Sequence, residues 1–364
     1  MKNRRKEARP RLNVNYVCAA LLAGAGAVAT QSTFAQQVVA DGTTVDIPAN
    51  AVIDTGTTGG APGVGIRALN GGIANAQGPV TIRTGGNAAH AVFVDAGGGH
   101  IRLTNGGSIT NTGNTAYGLW TAETGASGSS IDVANFTIDT VATSVLANRG
   151  GVISLFNTDM TSSTGFGLHA VGTGNPGDTT AIRATDVSIA TGSDHAVESF
   201  GTSVVSLSTL NRAANTITTQ GADAQGILAN NKGTVQTSGG LTIQTSGQGS
   251  AAVLARSGGR ISLDGSGATP VSITTQGAFS EGIVAVDSTS TVQATGGLSI
   301  NTSGFWAHGV SAGSGGQVTI TGSGPTATQI ATTGDGAIGL TAAGAGSAVT
   351  ASELALRTAS ANAH

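Results

Sequence analysis

Five segments of the chain share one spacing, and that spacing restricts the fold more than any other feature. ITTQGADAQGI begins at Ile217, IQTSGQGSAAV at Ile243, ITTQGAFSEGI at Ile273, INTSGFWAHGV at Ile300 and IATTGDGAIGL at Ile330. In each, an apolar residue follows the leading Ile at ten positions: Ile227, Val253, Ile283, Val310 and Leu340. The leading residues are 26, 30, 27 and 30 positions apart. Self-similarity at this period marks a solenoid. A doubled period is also present, since GGRISLDGSGATPVSITTQG (Gly258–Gly277) is echoed 57 positions later by GGQVTITGSGPTATQIATTG (Gly315–Gly334).

One unit, Ala224–Gly247, contains three runs, GILAN, TVQTS and LTIQTS, each alternating apolar with small or polar residues. Alternation at period two belongs to strands with one face turned inward. Gly, Asn, Lys and Ser separate the runs and turn the chain. Three strands of about five residues and three turns fill about 28 residues, one rung of a parallel β-helix. A helical solenoid would need longer segments of 3.6 periodicity and good helix formers. Here 58 of 364 residues are Gly. One rung cannot bury its apolar side alone. Stacked rungs, about 4.8 Å apart, align the Ile, Val and Leu side chains in columns. The expected fold is therefore all-β, a single-stranded parallel β-helix of about ten rungs.

The same pattern runs upstream, in more degenerate form, through Ile53, Ile82, Ile109, Ile138, Met160 and Ile189. The interval of 22 before Met160 suggests a rung that lost a turn. Leu168 and Val197 follow their anchors by eight positions instead of ten, so a turn there is two residues shorter. Ten intervals separate Ile53 from Ile330, which makes a shaft of roughly 50 Å and one elongated domain.

The N-terminus reads differently. MKNRRKEARPRL carries six basic residues, an apolar run of 13 follows from Tyr16 to Val28, and Thr33 and Ala35 occupy the small-residue positions of a cleavage site. This is the order of a secretory signal peptide, residues 1–35. The run falls short of the roughly 20 residues of a membrane-spanning helix. Residues 36–52 read as an N-terminal cap region or partial first rung, and 53–364 as the β-helix. Cys18, the one cysteine, lies inside the signal segment, so the mature chain expects no disulfide and takes its stability from size and repetition. Removing residues 1–35 leaves 10 basic and 18 acidic residues, a net charge of −8. That excludes a nucleic-acid footprint. The C-terminal stretch Ala348–Ser360 still alternates, without a legible cap, as in a partial chain.

Candidate chemistry is sparse. His90 and His308 both stand eight after their anchors, but eight rungs, roughly 40 Å, separate them. His169 and His195 lie one rung apart, with no carboxylate or Cys seen to complete a metal site. Asp132, Asp159 and Asp186 are spaced 27 and 27. Stacked acids could build a polysaccharide-cleaving site, yet their offsets from the anchors differ and no basic partner is evident, so they also read as turn aspartates. GTGNPGDTT (Gly172–Thr180) is the best candidate for a loop projecting from the shaft, or a plain spacer. Neither a nucleophile elbow, nor calcium-binding nonapeptides, nor a phosphate loop is present. No catalytic, cofactor or metal residue is assigned.

Signal peptide, cysteine-free mature chain and rungs such as GILANNKGTVQTSGGLTIQTSG together resemble the passenger domains of bacterial autotransporters, the pertactin-like group above all. The resemblance covers Asp41 to the end. It implies a right-handed β-helix displayed on a Gram-negative surface, often an adhesin or virulence factor, with a host cell or extracellular-matrix component as partner. It also implies a C-terminal translocator β-barrel, and no such segment follows Leu356. For the chain as it stands, the expectation is export, with surface display or secretion, or a periplasmic location if the chain is this short. Two other readings remain open: a secreted polysaccharide-cleaving β-helix enzyme, and an inert spacer of a longer protein.

Overall fold

The computed structural model describes residues 33–34, 37–56, 63–95, 97–122, 128–265, 269–322, 328–360 and 362. The expected signal peptide, residues 1–35, lies outside them except for a short strand at Thr33–Phe34. Among the described residues every regular element is a strand, and every pairing is parallel between strands one turn apart, as in Ile273↔Ile300 and Ile300↔Ile330. The chain is a parallel β-solenoid of about 28 residues per turn.

Alternation explains the register. The anchor residues form one continuous column: Ile53 pairs with Ile82, and the column passes through Ile109, Ile138, Met160, Ile189, Ile217, Ile243, Ile273, Ile300 and Ile330 to Leu356. Ile53 through Ile330 are buried in the core. A slip of one residue would turn every one of these side chains outward. Burial of each Ile or Val contributes roughly 1.5–3 kcal/mol.

The strands form two sheets. A twelve-stranded sheet runs from Val38–Asp41 to Leu340–Ala343, so it marks eleven steps along the axis, slightly more than the sequence count of ten rungs. The other two faces merge into one sheet of 23 strands. They merge because Val152–Ser162 and Ala181–Thr191 pass round the corner as single strands of 11 residues. Asn157 and Asp186 make these bends with positive φ, 45° and 57°.

Residues 36–52, read as a cap region, supply strands of the first turn. Val38–Asp41 and Thr44–Ile47 pair with Ile66–Leu69 and Gly72–Ala76. The short interval before Met160 arises without loss of a strand. Four residues connect Thr140 to Val145, where seven connect Asn111 to Leu119, and the connection from Asn148 to Val152 is tight as well.

A threonine two residues before a glycine recurs at the corner that enters the twelve-stranded sheet, as in Thr219–Gly221 and Thr275–Gly277. Thr219, Thr245, Thr275 and Thr302 point inward and donate their hydroxyls to the carbonyl five residues on, at 2.8, 2.7, 2.5 and 2.7 Å. The glycine two residues later lets consecutive rungs approach. A Cβ at Gly277 would lie 1.9 Å from the Gly247 carbonyl oxygen.

Candidate functional site

Strands of the twelve-stranded sheet are four residues long or shorter. Their first and third residues face the core, and the second faces out. In Leu168–Val171, Leu168 and Ala170 belong to the core, while His169 does not. Parallel register stacks these second residues into one column: Arg67, Phe93, Trp120, Leu146, His169, Glu198, Leu228, Leu254, Val284, Ser311 and Thr341. The outward columns of the other two faces are quite unlike it. One reads Ser188, Thr216, Thr242, Ser272, Ser299 and Gln329. The other reads Ser206, Gln236, Ser262, Gln293, Thr319 and Thr350. Over these rungs the two columns are uncharged and polar, although upstream they carry Arg102, Asp132 and Arg183 on one face and Asp159 on the other, and the third face carries aromatic, aliphatic and ionisable groups.

That third face is recessed. Leu228 is fully buried although it points away from the core, and Phe93, Leu146 and Val284 are nearly so. Corner residues two positions before each strand form one wall: His90, Tyr117, Phe166, His195, Glu281 and His308 are members. Near the middle of the face is an open cleft of about 430 Å³ whose lining includes Tyr117, Leu146, Arg149, Phe166 and His169.

Aromatic stacking orders the N-terminal part. Phe93 and Trp120 stack at 4.4 Å, and His90 and Tyr117 at 5.0 Å and 9°. Arg67 lies 5.7 Å from the centre of Phe93 and is ion-paired with Asp95. Cation–π and stacking contacts of this kind hold side chains in place.

Four histidines, His90, His169, His195 and His308, belong to this face. His90, His195 and His308 occupy equivalent wall positions. Each accepts a backbone N–H of the next rung on Nδ1: Tyr117 at 3.0 Å, Gln225 at 3.0 Å and Ile338 at 2.9 Å. An accepting Nδ1 means a neutral imidazole with its proton on Nε2. Burial favours the same state, bringing His90 down to about 4 and lowering His308. In His195 burial lowers the pKa against Asp194, with Arg256 adding to the lowering and Asp223 opposing it. His169 is brought to about 4 by burial and then by His195.

No carboxylate partner for the His169–His195 pair is evident in the sequence. The structure supplies one: Glu198 pairs with His169 in register, Nε2 to Oε2 3.3 Å, and burial raises its pKa. Both residues stand nine positions after their anchors, so a shared offset was the available signal. Among the described residues no group of three or more His, Cys, Asp or Glu is placed to hold a metal ion.

The three aspartates do not converge. Asp132 pairs in register with Arg102 and Ser154 on one face. Asp159 is on the next face, beside Thr137 and Ser188. Asp186 is buried at the corner bend and accepts the backbone N–H groups of Leu210, Asn211 and Arg212 at 2.8, 2.8 and 3.1 Å. Burial alone would raise its pKa; these three bonds, helped by the Arg212 charge, hold it below the usual carboxylate range. The basic partner missing from the sequence reading is Arg212, whose guanidinium bonds Asp159 at 2.7 Å and Asn157 at 2.9 Å. Asp186 thus shapes the 209–213 connection, whose tip is the exposed Leu210.

Gly172–Thr180 is laced to the shaft. Asp178 accepts the backbone N–H of Thr173 and both the N–H (2.9 Å) and the hydroxyl (2.6 Å) of Thr180. Burial opposes ionisation of Asp178, but the bonds from Thr180 and Thr173 outweigh it and bring the carboxyl to about 2. Thr202 bonds Asp178 and the Gly174 N–H, tying the loop to the next rung.

A second cluster, not anticipated from the sequence, stands on the corner ridge beside the groove. Phe279, Phe305 and Trp306 are exposed by 50, 51 and 48 %. Their rings touch edge to face, Phe279 to Phe305 at 5.8 Å and Phe305 to Trp306 at 6.2 Å.

No protein-family model, curated protein or solved structure matches the chain. The chain is thus placed by its own geometry, a parallel β-solenoid with one differentiated face.

Proposed function

We propose that the chain is a non-enzymatic attachment shaft, exported and displayed at a bacterial surface or secreted in the manner of a pertactin-like autotransporter passenger. The observation that carries this reading is the contrast between faces. Ser, Thr and Gln columns interact favourably with water and need no partner. The apolar and aromatic column lies on the outer side of a sheet in a recess whose walls shield most of it and leave Trp120, His169 and Leu254 part-exposed, and concave surface lined by apolar and aromatic side chains with a few polar groups is where ligands dock. An inert spacer has no use for such a face. The residues that would have carried the enzymatic alternative, Asp132, Asp159 and Asp186, share no site. The partner class proposed is a host-cell or extracellular-matrix component, reached by loops and walls held along a rigid axis.

The test is retention of host cells and of purified matrix components on the immobilised intact chain. Retention should be lost in Leu254→Lys, which puts a charge into the groove, and kept in Thr242→Lys on another face. Absence of retention by the unaltered chain, or equal retention by both variants, would refute the reading.

A further inference from the structure

The exposed aromatic ridge occupies backbone positions that disfavour its residues. Six positions after each anchor, the corner adopts positive φ: Asp223 (55°), Gly249 (69°), Phe279 (57°), Trp306 (51°) and Gly336 (69°). Gly and Asp are the expected occupants of such a conformation, and a bulky side chain is an outlier there. Two adjacent rungs nevertheless carry Phe and Trp, half in solvent. Burial does not account for them, so what these side chains offer to the outside does; strain of this kind clusters at functional sites.

The surroundings narrow the ligand. Phe279, Phe305, Trp306 and His308 form a row of rings, each 5.8–6.2 Å from the next. The indole edge of Trp306 lies over Gly336, where a Cβ would come within 2.7 Å of Nε1, so the ring lies along the ridge. On one side, the residues before the close-packed glycines, Ser246, Gln276, Ser303 and Thr333, form an exposed column of three hydroxyls and one amide, the hydroxyls making long bonds of 3.3–3.4 Å to carbonyls of the preceding rung and keeping their acceptor capacity. On the other side are the Glu281 carboxyl and His308, which is neutral with a proton on Nε2. Asp335 follows at the exposed corner, its carbonyl accepting the Trp306 N–H at 2.9 Å. The only formal charges in this set are acidic, which disfavours nucleic acids, sulfated polymers and anionic lipid surfaces. Flat aromatic faces flanked by hydroxyls, the Gln276 amide and carboxyls match a ligand with apolar C–H faces and a rim of hydroxyls. Its binding units would also have to recur along the axis.

We infer that Phe279, Phe305 and Trp306 form a binding site for a neutral glycan, with pyranose rings stacked on the aromatic side chains and sugar hydroxyls bonded to the amide and hydroxyl column. This rests on the reading of the chain as an attachment shaft and names the class of surface it would grip.

The experiment is calorimetric titration of the intact chain with neutral oligosaccharides of glucose, mannose, galactose and N-acetylglucosamine, and with heparin as the anionic comparison. Phe279→Gly and Trp306→Gly are the variants, because Gly249 and Gly336 already fill the same place in the flanking rungs. At least one neutral oligosaccharide should bind, about tenfold or more weakly in either variant, and unchanged in Asp223→Gly at the equivalent corner two rungs away. Preference for heparin, or binding unaffected in both aromatic variants, would overturn the site. If no neutral oligosaccharide binds while the intact chain still retains cells, the glycan assignment falls and attachment stands. If cell retention is also absent, both fall.

Discussion

Glu281 stands on the groove wall in a position filled by Ala251 in the preceding rung and by His308 in the following one. Burial pushes its carboxyl from an ordinary 4.5 up to about 7, against the opposing hydrogen bond from Ser311. Because the folded value lies above the unfolded one, the native state favours the protonated form. The stability this confers is complete below about 4.5 and is lost as pH rises through about 7. At ~1.4 kcal/mol per tenfold change, the difference between those values corresponds to about 3 kcal/mol between acid and alkaline conditions. Glu281→Gln keeps the shape and removes the charge, so it should leave stability unchanged near pH 4 and raise it by up to about 3 kcal/mol above pH 8. The assay is urea unfolding of both proteins across this range, read as a difference. The difference matters, since His90 and His169, depressed to about 4, act in the opposite sense. Their contribution is present above about 6.5 and lost as pH falls through about 4. In the wild-type profile the two trends overlap, and the two histidines outweigh the single carboxyl. A pH-independent difference between Glu281→Gln and wild type would refute the argument that this carboxyl is desolvated.

Other expectations follow from the corner chemistry. Gly277→Ala forces a Cβ to within 1.9 Å of the Gly247 carbonyl and should cost about 3 kcal/mol in chemical denaturation, since the stacked backbones cannot part without breaking the ladder. Thr275→Val preserves volume but leaves the Ser280 carbonyl without its 2.5 Å donor; a loss of about 1–3 kcal/mol is expected by the same measurement. Asp186→Ala strips the acceptor from three consecutive N–H groups. Amide exchange at Leu210–Arg212 should accelerate by at least about tenfold, with a stability loss of about 2 kcal/mol. Because the folded carboxyl is held low, that contribution is present above the ordinary carboxylate pKa and disappears as pH falls through the folded value.

The inner column was readable because stacking demands an apolar residue at a fixed offset in every turn, and the demand leaves a period. The outer face left a fainter trace. In GILAN and GIVAV the second strand residue, Leu228 or Val284, breaks the alternation, so that three and four apolar positions run together. Such a run indicates a strand shielded on both sides. The offset also held the His169–Glu198 contact and the paired placement of Phe279 and Trp306, each six after its anchor. Arg212 could not have been found this way. It sits in an irregular connection and reaches Asp159 53 positions back, so the contact depends on how the connection folds. The positive φ of Phe279 and Trp306 was legible only through the neighbouring rungs, where Asp223, Gly249 and Gly336 fill the same offset.

The duplicated pair of rungs separates what the fold needs from what the surface offers. Offset by 57 positions, Ile261, Leu263 and Ile273 correspond to Val318, Ile320 and Ile330, all buried, so the copies agree inward. Outward they part: Phe279 corresponds to Gly336, Glu281 to Ile338 and Val284 to Thr341. Each rung is joined to its neighbours by the same backbone ladder whatever it displays. Stability in such an array is close to a sum of repeat and nearest-neighbour terms, so an outward residue can change without loosening distant rungs. Binding chemistry can therefore accumulate in one copy, and Phe279→Gly should return that rung to plain shaft while the column through Ile273 and Ile300 holds.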